Sequence, residues 1–166
     1  MVNKTECIVE NLNKNYAVDV TEWLKIAVKI FEKLVGNREI AEKFCLKDLD
    51  FEKVFFDITF TDGIQTHELN KTYRNKDYAA DIITFSLFAD DENSKVIDGQ
   101  ITLGDIVIAL DKVEELAESE NKSFDYELKF LIAHGILHLL GFEHDTMEEY
   151  NFVVRHQNDV IGELEE

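Results

Sequence analysis

Residues 121–144 read NKSFDYELKFLIAHGILHLLGFEH. Apolar residues recur at helical spacing through this stretch, so it predicts one long helix ending at Gly141. Leu137, Leu139 and Leu140 occupy faces of that helix that must be buried, whereas His134 and His138, four residues apart, share another. A helix this apolar needs a layer to pack against, and the chain before it supplies strands. ECIVENL near the start, VFFDITF at 54–60, DIITFSLF at 81–88 and ITLGDIVIAL at 101–110 all carry strand patterning.

Between the strands lie further helices. Thr21 is the expected cap of a helix with the apolar stripe Trp23, Leu24, Ala27, Val28, Ile30, Phe31 and Leu34, stopped by Gly36. Asp62 opens a shorter helix through about Tyr73, and residues 111–119 form another. Asp145 with Glu148 three places later reads as a capping box for a final helix. Strands mixed with helices, and helices gathered at the C-terminal end, predict an α+β layer architecture. No repeat, low-complexity tract or Gly/Ser/Pro linker divides the chain, so residues 1–166 are expected to form a single domain.

Within the long helix, HGILHLLGFEH at 134–144 concentrates the chemistry. One helical turn separates His134 from His138, which lets two imidazoles reach one ion at about 2.0–2.1 Å. Gly141 can take the left-handed backbone that ends a helix and redirects the chain, bringing His144 back as a third ligand. Three protein ligands leave one position of a tetrahedral zinc ion open, the arrangement of catalytic sites, whereas structural sites are closed by four. One bound Zn2+ that activates water for hydrolysis is the expectation. Other divalent metals also accept imidazole ligands.

The same offsets occur in the metzincin proteases, where the residue after the first histidine is the glutamate base. Here that residue is Gly135, so a peptidase on this site would lack its proton carrier. Gly135 either opens room beside the metal or lets the helix pack closely on a neighbour. Glu143 and Asp145, which flank His144, are the acid–base candidates by proximity.

HGILHLLGFEH resembles the signature HGxLHLxGxDH of the YbeY family of bacterial rRNA maturation factors, with Glu143 in place of Asp. LNKTYRNKDYAADIITFSLF at 69–88 is similar to that family's LNxxYRxxDxPTDVLSFP, and LGDIVIAL at 103–110 to its LGDIVI strand. Both prolines of the middle block are replaced, by Ala79 and Ser86, which predicts a less rigid loop into the strand. The resemblance implies an α+β fold with a zinc cleft beside a small mixed sheet. It also implies cleavage of single-stranded RNA, 16S rRNA 3′-end maturation and ribosome quality control. Arg74 falls on the family's functional arginine, where a guanidinium holds phosphate oxygens and stabilises charge during attack. Lys71 and Lys76 flank it; Lys71, Asp81, Asp105, Glu143 and Asp145 are supporting candidates. Attack by activated water and attack by the RNA 2′-hydroxyl remain open alternatives, as does a noncatalytic ribosome-assembly factor whose metal only fixes the fold.

The net charge of −18, from 17 Lys+Arg and 35 Asp+Glu, repels polyanions at long range. An RNA partner, ribosomal RNA on this reading, must therefore meet the local basic patch, and basic ribosomal small-subunit proteins are the other expected partners. No apolar run approaches the roughly 20 residues of a membrane span, and MVNKTECIVE lacks a signal-peptide pattern, so a cytoplasmic protein is expected. Cys7 and Cys45 form no CxxC pair and are expected to be reduced thiols, partly buried.

Overall fold

A computed structural model describes residues 4–166. In chain order the elements are β1 (Lys4–Asn11), α1 (Val20–Gly36), α2 (Arg38–Ala41), β2 (Lys53–Thr61), α3 (Gly63–Arg74), β3 (Ile82–Ser86), β4 (Gln100–Ala109), α4 (Leu110–Glu120), α5 (Phe124–Leu139) and α6 (Met147–Glu165). Among the described residues, one four-stranded sheet has the order β1-β2-β4-β3. β1, β2 and β4 run parallel, and β3 returns antiparallel along the edge of β4. The architecture is the expected α+β class with a mixed sheet.

Alternation along the strands sets the two faces of the sheet. Val54, Phe56, Ile58 and Phe60 of β2 are buried on one face, as are Ile106 and Ile108 of β4. Against that face pack α1, through Trp23, Ala27, Ile30, Phe31 and Leu34, and α5. α3 covers part of the other face near β3 and β4, where Tyr73 meets Phe85 edge-on at 5.7 Å. α5 contacts α1, α4, α6, β3 and β4, so Leu128, Leu131, Ile132, Ala133, Ile136, Leu137 and Leu139 are all buried. Between Leu131 and Leu139 only His134 and His138 are not fully buried, and both are half-buried.

Two caps differ from the expected ones. Asp19, not Thr21, caps α1, its carboxylate accepting from the backbone N–H of Thr21 and Glu22. The capping box of α6 is Thr146 with Glu149, one residue later than Asp145 with Glu148. There the Glu149 carboxylate accepts from the N–H groups of both Asp145 and Thr146. Helix α5 ends at Leu139, and β3 is shorter than the 81–88 segment.

Cys7 is buried and Cys45 half-buried, and both are free thiols. Burial pushes Cys7 up to about 12 and Cys45 up to about 11. Among the described residues, no helix is long and apolar enough to cross a membrane.

Candidate metal centre

The end of α5 builds the site. Gly141, at φ +97, takes a backbone conformation that side-chain-bearing residues rarely adopt. Its N–H donates to the His138 carbonyl (2.9 Å), and the Phe142 N–H donates to the Leu137 carbonyl (3.0 Å). These two bonds form a Schellman motif, which satisfies the last carbonyls of the helix and turns the chain back. His144 arrives by this turn beside the other two rings. Centroid separations are 4.5 Å for His134–His138, 4.9 Å for His138–His144 and 5.3 Å for His134–His144.

One ring nitrogen from each histidine lies within 4.8 Å of the others. The Nε2 atoms of His134 and His138 face one another at 3.0 Å. Two nitrogens bound to one tetrahedral ion at about 2.1 Å would stand about 3.4 Å apart, so a small adjustment admits a cation between them. Burial, joined by His134, His144 and Arg74, depresses His138 to about 3. Burial also lowers His134 from the ordinary imidazole value. Both rings are therefore neutral near pH 7, the form that ligates metals. The donor set fits a divalent ion with imidazole preference, and its three ligands leave room for a substrate or solvent oxygen.

Gln157 of α6 lies behind the triplet. Its Oε1 is 3.4 Å from His134 Nδ1, and its Nε2 donates to the Phe130 carbonyl at 3.1 Å. The sequence reading missed this residue. The available signal was a polar residue within the spacing Val153, His156, Gln157, Val160, an otherwise inward stripe of α6.

Arg74 ends α3 and is exposed, with Nη2 donating to the Thr84 carbonyl of β3 at 3.0 Å. Its charge contributes to the depression of His138, so the guanidinium belongs to the same electrostatic neighbourhood as the triplet. Lys71 stands 3.7 Å from Asp77, whose other partner is His67 at 2.7 Å. Glu143 approaches His138 Nδ1 at 3.9 Å, beyond hydrogen-bond range. Burial raises its carboxyl above the ordinary value, helped by Asp90 and Asp145. Asp81 accepts from the Ile82 N–H and raises His134 slightly by its charge, against the effect of burial. Asp105 is not brought to the triplet: it follows Gly104 and precedes Ile106, both turned to α5, so its side chain points to the opposite face. Asp145 is exposed in the turn before α6.

Gly135 resolves toward packing. A Cβ at that position would lie 2.8–3.0 Å from three carbons of Ile106, so the residue faces the sheet rather than the cleft. The expected looseness around the missing prolines is met by hydrogen bonds. Thr66 Oγ1 donates to the Ala80 carbonyl (2.7 Å), and Asn70 Nδ2 to the Tyr78 carbonyl (2.9 Å). Ser86 Oγ donates to the His138 carbonyl (3.0 Å), tying β3 to the metal-bearing turn.

Comparison with known proteins gives a consistent picture. Residues 8–165 match the family model described as "Endoribonuclease YbeY". Proteins named Endoribonuclease YbeY include one from Clostridioides difficile, 32% identical over 142 residues, covering 80% of this chain and 91% of its own. Another, from Bacillus cereus, is 35% identical over 147 residues, covering 87% and 91%. One from Ureaplasma parvum is 39% identical over 142 residues, covering 82% and 86%. The solution structure of TM1509 from Thermotoga maritima aligns over 96% of this chain and 92% of its own, with TM-score 0.54 and 25% identity.

Proposed function

The chain belongs to the YbeY family, and from that premise we propose that it is a zinc-dependent endoribonuclease acting on single-stranded RNA. Its place on this reading is the cytoplasm, in 16S rRNA 3′-end maturation and ribosome quality control. The observation that carries the proposal is the convergence of His134, His138 and His144, each offering a ring nitrogen within 4.8 Å of the others.

A divalent ion held by His134, His138 and His144 would supply Lewis-acid polarisation of a phosphoryl oxygen and would lower the pKa of water at the site. The remaining roles fall to side chains. His134, His138 and His144 would hold the ion, each through one ring nitrogen. Arg74, already oriented by the Thr84 carbonyl, presents its free N–H groups to phosphate oxygens and offsets the charge that develops on attack. Glu143, whose carboxyl is raised above its ordinary value by burial and which lies 3.9 Å from His138 Nδ1, is the residue assigned to hold or pass on a proton. Lys71 and Lys76 add local positive charge, which the −18 net charge makes necessary. That same acidity suits docking on basic small-subunit proteins, and such binding should weaken as salt rises.

The test is cleavage of an unstructured RNA oligonucleotide by the purified chain, with chelator, with zinc restored, and with His144→Ala and Arg74→Glu. Cleavage that needs the metal and both residues is expected. A chelated, folded chain that cuts at full rate would refute the metal role. Metal removal that unfolds the chain, with no preparation cutting RNA, would favour the assembly-factor reading. A 2′,3′-cyclic phosphate product would identify the 2′-hydroxyl as the attacking group.

A further inference from the structure

We propose that Gln157 is a positioning residue for the metal centre: its amide oxygen accepts from His134 Nδ1–H and thereby commits Nε2 of that ring to the ion. The inference rests on the metal-site reading given above.

Gln157 is 1% exposed, in a stripe of α6 whose neighbours Val153, Val160 and Ile161 are apolar core residues. A buried amide is costly unless both of its ends are paired. Both ends are paired here, and both partners belong to α5. Nε2 donates to the Phe130 carbonyl, and Oε1 faces His134 Nδ1. Phe130 precedes His134 by one helical turn, so the amide spans that turn of α5 from outside. The Phe130 contact also fixes which way the amide points. Reversed, it would set its oxygen against a carbonyl oxygen at 3.1 Å. With Oε1 toward the ring, the proton belongs on Nδ1.

Tautomer and ligation are then coupled. Nδ1–H leaves a lone pair on Nε2, the atom that faces His138 Nε2 at 3.0 Å. A proton on Nε2 would instead occupy the position the ion must take. Partners of this kind orient ligating histidines, raise their basicity and strengthen metal binding. Gln157 thus joins α6 to the metal centre without touching the ion or the RNA.

Two measurements test this without relying on cleavage. Zinc affinity, read by competition with a chromophoric chelator, should fall about 10–100-fold in Gln157→Met, which keeps the volume but loses the acceptor. Gln157→Glu, which keeps an acceptor toward the ring but loses the donor to the Phe130 carbonyl unless its second oxygen is protonated, should bind zinc more tightly than Gln157→Met. Gln157→Met that folds as judged by circular dichroism and binds zinc unchanged would overturn the inference while leaving the metal site intact. Where Gln157→Met fails to fold, heteronuclear NMR of the imidazole nitrogens in the unmodified zinc-loaded chain decides. His134 protonated at Nδ1 and ligating through Nε2 is expected, and the reverse pattern overturns the inference. An unmodified chain that takes up no divalent metal overturns the reading of the site itself, and this inference with it.

Discussion

Gly135 lies so close to Ile106 that a Cβ at residue 135 would sit 2.8 Å from its Cδ1 and 2.9 Å from its Cγ2. This contact sets how near the metal-bearing helix α5 comes to β4. It also explains why the residue after the first histidine is not the acid of a metzincin, since a longer side chain would be driven into the sheet.

Gly135→Ala is therefore expected to destabilise the fold. Replacing a mid-helix glycine by alanine favours the helix by about 1 kcal/mol. Overpacking a rigid core costs about 1–3 kcal/mol, and Ile106, fully buried and β-branched, has little freedom to yield. The second effect wins, and thermal unfolding should show a lower Tm. A variant that melts at or above the parent temperature would show that the helix and sheet can separate cheaply.

How much of this was legible in the sequence depends on whether the deciding interaction is local. The triplet could be read because His134, His138 and His144 sit within one helix end and its turn, where spacing alone fixes geometry. The strands could be read for the same reason, from alternation. Caps were less secure. Asp19 and Thr21 are both good capping residues, and in the run DTMEE both Asp145–Glu148 and Thr146–Glu149 fit the box pattern. Only the hydrogen bonds of the folded chain separate these alternatives. The helix Arg38–Ala41 is too short to show any period. Strand order and Gln157 were out of reach because each depends on contacts between distant segments.

Arg74 should respond to substitution as a geometric fork rather than as a charge alone. One N–H of its guanidinium is held by the Thr84 carbonyl, which aims the others outward. Arg74→Ala should reduce the cleavage rate about 10²–10³-fold, the typical loss for one transition-state donor. Arg74→Lys should recover RNA binding more than turnover, because an ammonium keeps the charge but cannot bind a phosphate through two parallel bonds. Separate measurement of kcat and RNA affinity checks this. Full turnover in the lysine variant would reduce the role of Arg74 to simple attraction.

His156 gives α6 a dependence on pH that is independent of the metal. Its ring is 2% exposed, lies 4.4 Å from the Phe152 ring, and leaves Nε2 without a hydrogen-bond partner, 3.7 Å from Glu39. Burial lowers its pKa, with Arg155 adding to the effect and Glu39 opposing it. Below about pH 6.5 the unfolded chain protonates this histidine while the native state resists. The unfolded state then binds more protons, so stability falls as pH drops from that point toward the depressed native value. Tm measured across this range should fall less steeply in His156→Gln. Equal slopes would mean that the ring is protonated in place, with Glu39 accepting the charge.

Gly141 offers the last and most direct test of how the third ligand is delivered. A Cβ there would meet Cys45 Cβ at 3.5 Å and Ala89 Cβ at 3.6 Å, ordinary contacts, so space does not require glycine. The requirement is the backbone itself, at φ +97. Asparagine tolerates the left-handed region better than other residues with a side chain, and β-branched residues tolerate it worst. Metal affinity and Tm should both fall in the order glycine, Gly141→Asn, Gly141→Val, with each left-handed penalty on the order of 1–2 kcal/mol. The loss of affinity should exceed that of Gly162→Ala, where an added Cβ would meet nothing within 4 Å, because relaxing the turn releases the Gly141 N–H from the His138 carbonyl and carries His144 away. A Gly141→Val chain that binds zinc as tightly as the parent would show that His144 reaches the ion by another path, and that the Schellman turn only ends the helix.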